Sequence, residues 1–253
     1  LKKTKNSFRI AIIGDSFAEA RSVNVSDTFW FKLNENLKSC KNNKFNKTEV
    51  INFGVSGYST TQEYLTIKNN VWKYDPDLIL LNFYIGNDIE DKFKILSNKK
   101  YIPFFNLVNG NLKLDNSFKD DYSYKLLSSN VGKLTIKISQ YSRIIQLIRY
   151  VKLNSYQKNI VKKKTKKENF QQIIIDGEVY NKNLNPANLY NPSDKAWKEA
   201  WIITEKILEL INDEIKDNDK DFIVNLISPP LLIHADVILK ENKNYLENSQ
   251  IKD

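Results

Sequence analysis

Three short segments of this 253-residue chain carry groups suited to acyl transfer. Gly14-Asp15-Ser16 offers a hydroxyl nucleophile. Gly57 offers a backbone N–H that another molecule can approach closely, and Gly86-Asn87-Asp88 a side-chain amide. A serine attacking an ester needs such donors, because the tetrahedral intermediate places negative charge on an oxygen that N–H groups must hold. It also needs a base for the hydroxyl proton, commonly an imidazole backed by a carboxylate. The single histidine is His234.

Each segment also has a plainer use. Gly14 can turn the chain while Asp15 or Ser16 caps a helix. Gly57 can belong to any glycine-containing loop. Asn87 can cap a helix whose first turn is Asp88-Ile89-Glu90-Asp91, where carboxylates complement the helix dipole. With no partner ligands nearby and no Cys/His cluster, no metal is expected, and no cofactor is implied.

The surrounding pattern decides how these segments are carried. Phe8–Ile13, Glu49–Phe53, Leu78–Tyr84 and Phe222–Ile227 are β-branched and apolar runs closed by Gly, Asp or Pro, and predict strands. Between them, a helix is expected from an Asp27 cap to about Ser39, with Phe29, Leu33 and Leu37 on one face. Another is expected from Thr60 to about Lys73, stopped by Asp75-Pro76-Asp77. A third covers Trp197–Ile215. Strands alternating with helices predict a parallel sheet covered on both faces. Ligands on such sheets bind beyond the carboxyl ends of the strands, where all three segments fall.

The ordered set Ile13-Gly14-Asp15-Ser16-Phe17, Asn52-Phe53-Gly54-Val55-Ser56-Gly57 and Gly86-Asn87-Asp88 resembles the GDSL/SGNH hydrolase family of esterases, lipases, deacetylases and acyltransferases. The resemblance covers residues 8–94 and returns at 222–230. It implies a flavodoxin-like three-layer α/β/α fold with Ser16 as nucleophile. The Ser16 and Gly57 N–H groups and the Asn87 amide would form the oxyanion hole. The substrate class is then a small-molecule, glycan or lipid ester, with an O-acyltransferase or a non-catalytic surface module as alternatives. It also favours export or membrane tethering.

One block departs. The family carries Asp-x-x-His near its C-terminus, whereas Leu231 stands three before His234. His234 with Asp236 is an unusual base at best. The chain begins at Leu1, has no Met and stops at Asp253, so the Asp-His pair is expected beyond residue 253 of a longer protein.

Residues 97–194 break the strand–helix rhythm and are expected to be a mainly helical insertion in one domain spanning 1–253. Asn109-Gly110 between Phe104–Val108 and Leu112–Leu114 signals a hairpin. Residues 122–153 read as helical, with Leu134, Ile138, Ile145 and Ile148 on one face beside Lys133, Lys137, Arg143 and Arg149. Such a face suits a membrane surface, but packing on the domain is expected instead. The net charge is +9, and its densest block is Lys162-Lys163-Lys164-Thr165-Lys166-Lys167. A solvated loop is expected there rather than nucleic-acid binding, since interleaved aromatics are missing. The lone Cys40 excludes an internal disulfide. Oligomeric state is not legible.

Overall fold

The computed structural model describes residues 2–39, 45, 47–85, 87–90, 97, 99, 101–147, 150–151, 172–175, 178–181 and 195–228. Cys40, Gly86, Ile148, Arg149, the Lys block and His234 lie outside the described residues. The chain divides into two compact units. The first joins Leu1–Lys99, Pro103–Asp115 and Leu184–Asp253; the second joins Lys100–Ile102 and Asn116–Asn183.

The first unit is built on four parallel strands, β1 (Ser7–Gly14), β2 (Lys47–Asn52), β3 (Leu78–Tyr84) and a last strand, Asp221–Ile227, in the order β2-β1-β3-last. β1 is central, and alternate residues point to opposite faces. Ile10 and Ile12 form a core with Trp30, Leu33 and Leu37 of α2 (Phe29–Ser39) and with Val50, Leu78 and Leu80. Ala11, Ile13, Ile79 and Leu81 bury the opposite face. There α3 (Thr60–Asn69) and the long helix Lys195–Asp217 pack on each other and against strands. Two buried faces explain why β1 and β3 read as continuous apolar runs. The result is a parallel sheet between helical layers, an α/β/α arrangement.

Arg9 interrupts the apolar run of β1 yet is fully buried. Its guanidinium pairs with Glu49 of β2 at 2.6 Å and also donates to the carbonyls of Lys2 and Tyr74. The charge is thus matched at the amino end of the sheet, the end away from the candidate site.

Two helix boundaries differ from the sequence expectation. Asp27 does not cap α2. It closes a 3₁₀ turn, Val25–Asp27, and Thr28 caps instead, its Oγ1 accepting from Phe31 N at 3.3 Å. Helix α3 ends at Asn69 because Asn70 leaves helical geometry, and Val71–Tyr74 continues as a 3₁₀ turn. That turn aims the Trp72 indole N–H at Glu214, 3.0 Å away. After β3 come α4 (Asn87–Glu90) and the antiparallel hairpin of β4 (Phe104–Val108) and β5 (Asn111–Asp115). Its Asn109 and Gly110 both have positive φ, 53° and 78°, as a tight Asn-Gly hairpin requires.

The second unit holds α5 (Tyr122–Ser128), α6 (Asn130–Tyr141), a further helical stretch at 143–147, and the antiparallel pair β6 (Gln172–Ile175) and β7 (Glu178–Asn181). The helical stretch read over 122–153 is broken at Ser129 and Ser142. Ser129 is extended (ψ 162°), and its hydroxyl caps α6 by accepting from Gly132 N at 3.1 Å. The hairpin was not expected; Asp176-Gly177 between two apolar runs is its signal. Numbering is continued from here with the long helix Lys195–Asp217 as α7 and the last strand Asp221–Ile227 as β8.

Candidate active site

Strand β1 ends at Gly14, whose φ is +156° and whose position leaves no room for a side chain. A Cβ there would lie 2.8 Å from Ala18 Cβ and 3.0 Å from the Asn82 carbonyl of β3. The next residue, Asp15, is fully buried and caps a single helical turn, α1 (Ser16–Glu19), accepting from Phe17 N at 2.8 Å. The capping role therefore falls to Asp15, and Ser16 stands exposed at the first helical position. Ala20, in the left-handed region at φ 54°, closes the turn with its N–H on the Ser16 carbonyl, 2.9 Å away. One turn sums few peptide dipoles, so the anion-holding capacity here is that of individual N–H groups rather than of a helix macrodipole.

The loop after β2 is held against this turn. Phe53 N donates to Ile12 O at 2.8 Å and Val55 N to Gly14 O at 3.0 Å, so pairing with β1 continues past the end of β2. Asn52 forms an Asx turn, accepting from Gly54 N at 2.8 Å, and donates to the Ala18 carbonyl at 2.8 Å. Glu19 then accepts from Ser56 N at 2.7 Å and from the Ser56 hydroxyl, and pairs with Arg21 at 2.7 Å. The Ser56 hydroxyl and N–H, with Arg21, hold the Glu19 carboxyl below its ordinary range.

The two glycines of this loop do different work. Close packing against α1 belongs to Gly54, where a Cβ would sit 2.6 Å from Ala18 Cβ and 2.7 Å from Glu19 N. Gly57 has open space, with a Cβ no nearer than 3.7 Å to Lys99 Nζ, but it adopts φ +80°. It is needed for its backbone conformation. Its carbonyl accepts from Lys99 Nζ at 2.5 Å.

On the other side of β1, β3 ends in Tyr84. Asp88 of α4 is fully buried and accepts from Tyr84 N at 2.7 Å. It stands at the start of α4, as the acidic first turn predicted, and there also closes the turn after β3. Buried Asn82 accepts from Asn225 of β8 at 2.8 Å. The Tyr84 ring lies 4.6 Å from that of Phe17, and burial, then the nearby Asp15 charge, raise the phenol above its ordinary range.

The segments bearing Ser16, Gly57 and Asn87 thus leave the same edge of three neighbouring strands. The registers Ile12↔Asn52 and Gly14↔Asn82 align those strand ends, and adjacent strands run about 4.8 Å apart. For Asn87 the structure gives the helix position only. His234 lies outside the described residues. Glu19, Asn52, Lys99 and Tyr84 were not singled out from sequence. Only Asn52 carried a local signal, the Asn-x-Gly of an Asx turn; the others depend on contacts 37 or more residues away in the chain. Among the described residues no group of three His, Cys, Asp or Glu could hold a metal ion.

No protein-family model matches the chain, and no curated protein does. Among solved structures it is similar to AlinE4, an SGNH-hydrolase family esterase, at 25% identity with a TM-score of 0.27. That match covers 32% of this chain and 42% of the other, so it spans less than half the length of that esterase. The acetyl xylan esterase AlAXEase matches at 16% identity over 96% of this chain and 85% of its own, with a TM-score of 0.29. These overlaps are too loose to transfer a reaction. The fold stands on the strand order and register given above.

Proposed function

We propose that the chain is a serine-dependent ester hydrolase acting on carboxyl esters or O-acetylated glycans. Ser16 Oγ attacks the carbonyl carbon, the alcohol leaves, and water releases the acyl group from Ser16. The Ser16 and Gly57 N–H groups and the Asn87 amide hold the oxygen that becomes negative. The observation that carries this reading is the exposed Ser16 at the carboxyl end of the central strand. Asp15 has taken over the cap, and the Gly57 and Asn87 segments follow the two flanking strands.

The hydroxyl proton requires a base, and the resemblance in sequence implies an imidazole three residues after an Asp. The test, in the full-length protein, is hydrolysis of p-nitrophenyl acetate. Ser16→Ala lowers kcat/KM by at least about 10³-fold, the scale of losing a nucleophile that acts as part of a unit. Retention of wild-type turnover by that variant removes the assignment. His234→Ala leaves the rate unchanged; a loss as deep as that of Ser16→Ala makes His234 the base.

A further inference from the structure

Helix α6 of the second unit packs on its small side. Gly132 and Ser139 are buried, and a Cβ on Gly132 would collide with the Leu126 and Leu127 carbonyls of α5. The large apolar side chains point the other way. Val131, Leu134, Ile138 and Tyr141 lie within one stripe at helical spacing and are 71%, 58%, 52% and 79% exposed. Tyr122, Leu126 and Leu127 of α5, and Ile144 and Leu147 beyond α6, are exposed as well. A soluble chain rarely leaves so many adjacent apolar groups in water without a partner for them.

The charge around the stripe indicates which partner. From Tyr122 to Leu147 the sequence has four Lys and Arg and no Asp or Glu, with Asp120 and Asp121 just before it. Lys133, Lys137 and Arg143 are exposed among the apolar groups, while Lys125 is paired with Asp120 at 3.4 Å. No described helix is long and apolar enough to cross a membrane. A short helix with an exposed apolar stripe edged by cations fits the plane of an anionic bilayer surface. There the side chains enter the acyl boundary and the cations meet lipid phosphates. A nucleic acid would use the cations but gains little from the apolar stripe, and a second copy would set like charges against each other.

We propose that residues 122–147 form a docking surface for the face of an anionic lipid bilayer. It is independent of the ester-hydrolase reading, and its test reads no turnover. The full 253-residue chain is floated with vesicles of phosphatidylcholine alone or mixed with phosphatidylglycerol. Binding to the mixed vesicles is expected, at least about tenfold tighter than to the neutral ones at low salt. K133Q/K137Q weakens it about 25-fold, since each cation near such a surface contributes about fivefold. L134S/I138S abolishes the part that survives high salt. Both variants change exposed side chains, so unchanged circular dichroism certifies their fold. The proposal is overturned by no binding to mixed vesicles, by binding indifferent to L134S/I138S, or by lipid-free dimerisation that L134S/I138S abolishes. Retention on duplex DNA under conditions where vesicles are ignored overturns it in favour of nucleic acid.

Discussion

In the sheet unit Ile12, Ile79 and Leu81 are sealed between helices, whereas in the helical unit Val131, Leu134 and Tyr141 stand in water. Both sets come from comparably apolar, regularly spaced sequence, so hydrophobic periodicity announces a face without saying what covers it. Burial of one such side chain stabilises a fold by about 1.5–3 kcal/mol. The sheet unit collects that gain many times over. Helix α6 forgoes it, and its close packing uses Gly132 and Ser139.

The contrast can be broken by substitution, starting with the sheet unit. Arg9→Met leaves Glu49 with Thr4 and Lys47 but removes the buried guanidinium's bonds to Glu49 and to the Lys2 and Tyr74 carbonyls, and should cost about 3–5 kcal/mol, at about 1 kcal/mol for each bond lost. All four tryptophans, at 30, 72, 197 and 201, belong to this unit, so indole fluorescence in urea reads the loss directly. A change below about 1 kcal/mol would mean that water readily replaces those bonds. Ile79→Ala should cost about 2–5 kcal/mol in the same assay.

A milder effect concerns acid. Glu19 is held below its ordinary range in the folded chain, chiefly by the Ser56 hydroxyl. Its contribution is therefore complete above the ordinary carboxylate pKa and disappears as pH falls through the depressed value. Glu19→Gln should flatten the acid limb of the stability profile below the ordinary carboxylate range. An unaltered limb would show that the Glu19–Ser56 link does not govern it. The smallest effect is expected from Leu134→Ala, within about 0.5 kcal/mol by far-ultraviolet circular dichroism. A loss approaching that of Ile79→Ala would place Leu134 in a core and end the contrast.

How much of this was legible follows from how local each cause is. β1 and β3 were readable because Gly14 and Asp75-Pro76-Asp77 bound largely apolar runs, and the β4–β5 hairpin because Asn-Gly dictates its turn. Ser16 was readable as a residue but not as exposed, since that depends on buried Asp15 taking the cap. The roles of Gly54 and Gly57 could not be separated in sequence. One depends on the position of Ala18, the other on its own φ. Asp88 was readable as a helix-start carboxylate but not as buried, since its burial depends on the packing around α4. The outward stripe of α6 was present in the spacing, but its direction was set by Gly132 meeting α5.

One methyl group links the turn bearing Ser16 to the loop bearing Gly57. The Ala18 Cβ lies within 2.8 Å of where a Gly14 Cβ would be and within 2.6 Å of a Gly54 Cβ. Positions 14 and 54 therefore both press on the one carbon of Ala18, and backbone atoms (Asn82 O at Gly14, Glu19 N at Gly54) close the rest of the space. Drift at these three sites should be correlated, and Gly54→Ala should be rescued in part by Ala18→Gly. The gap between the two loops is thus inherited as a joint property of three positions, none of which has a reactive side chain.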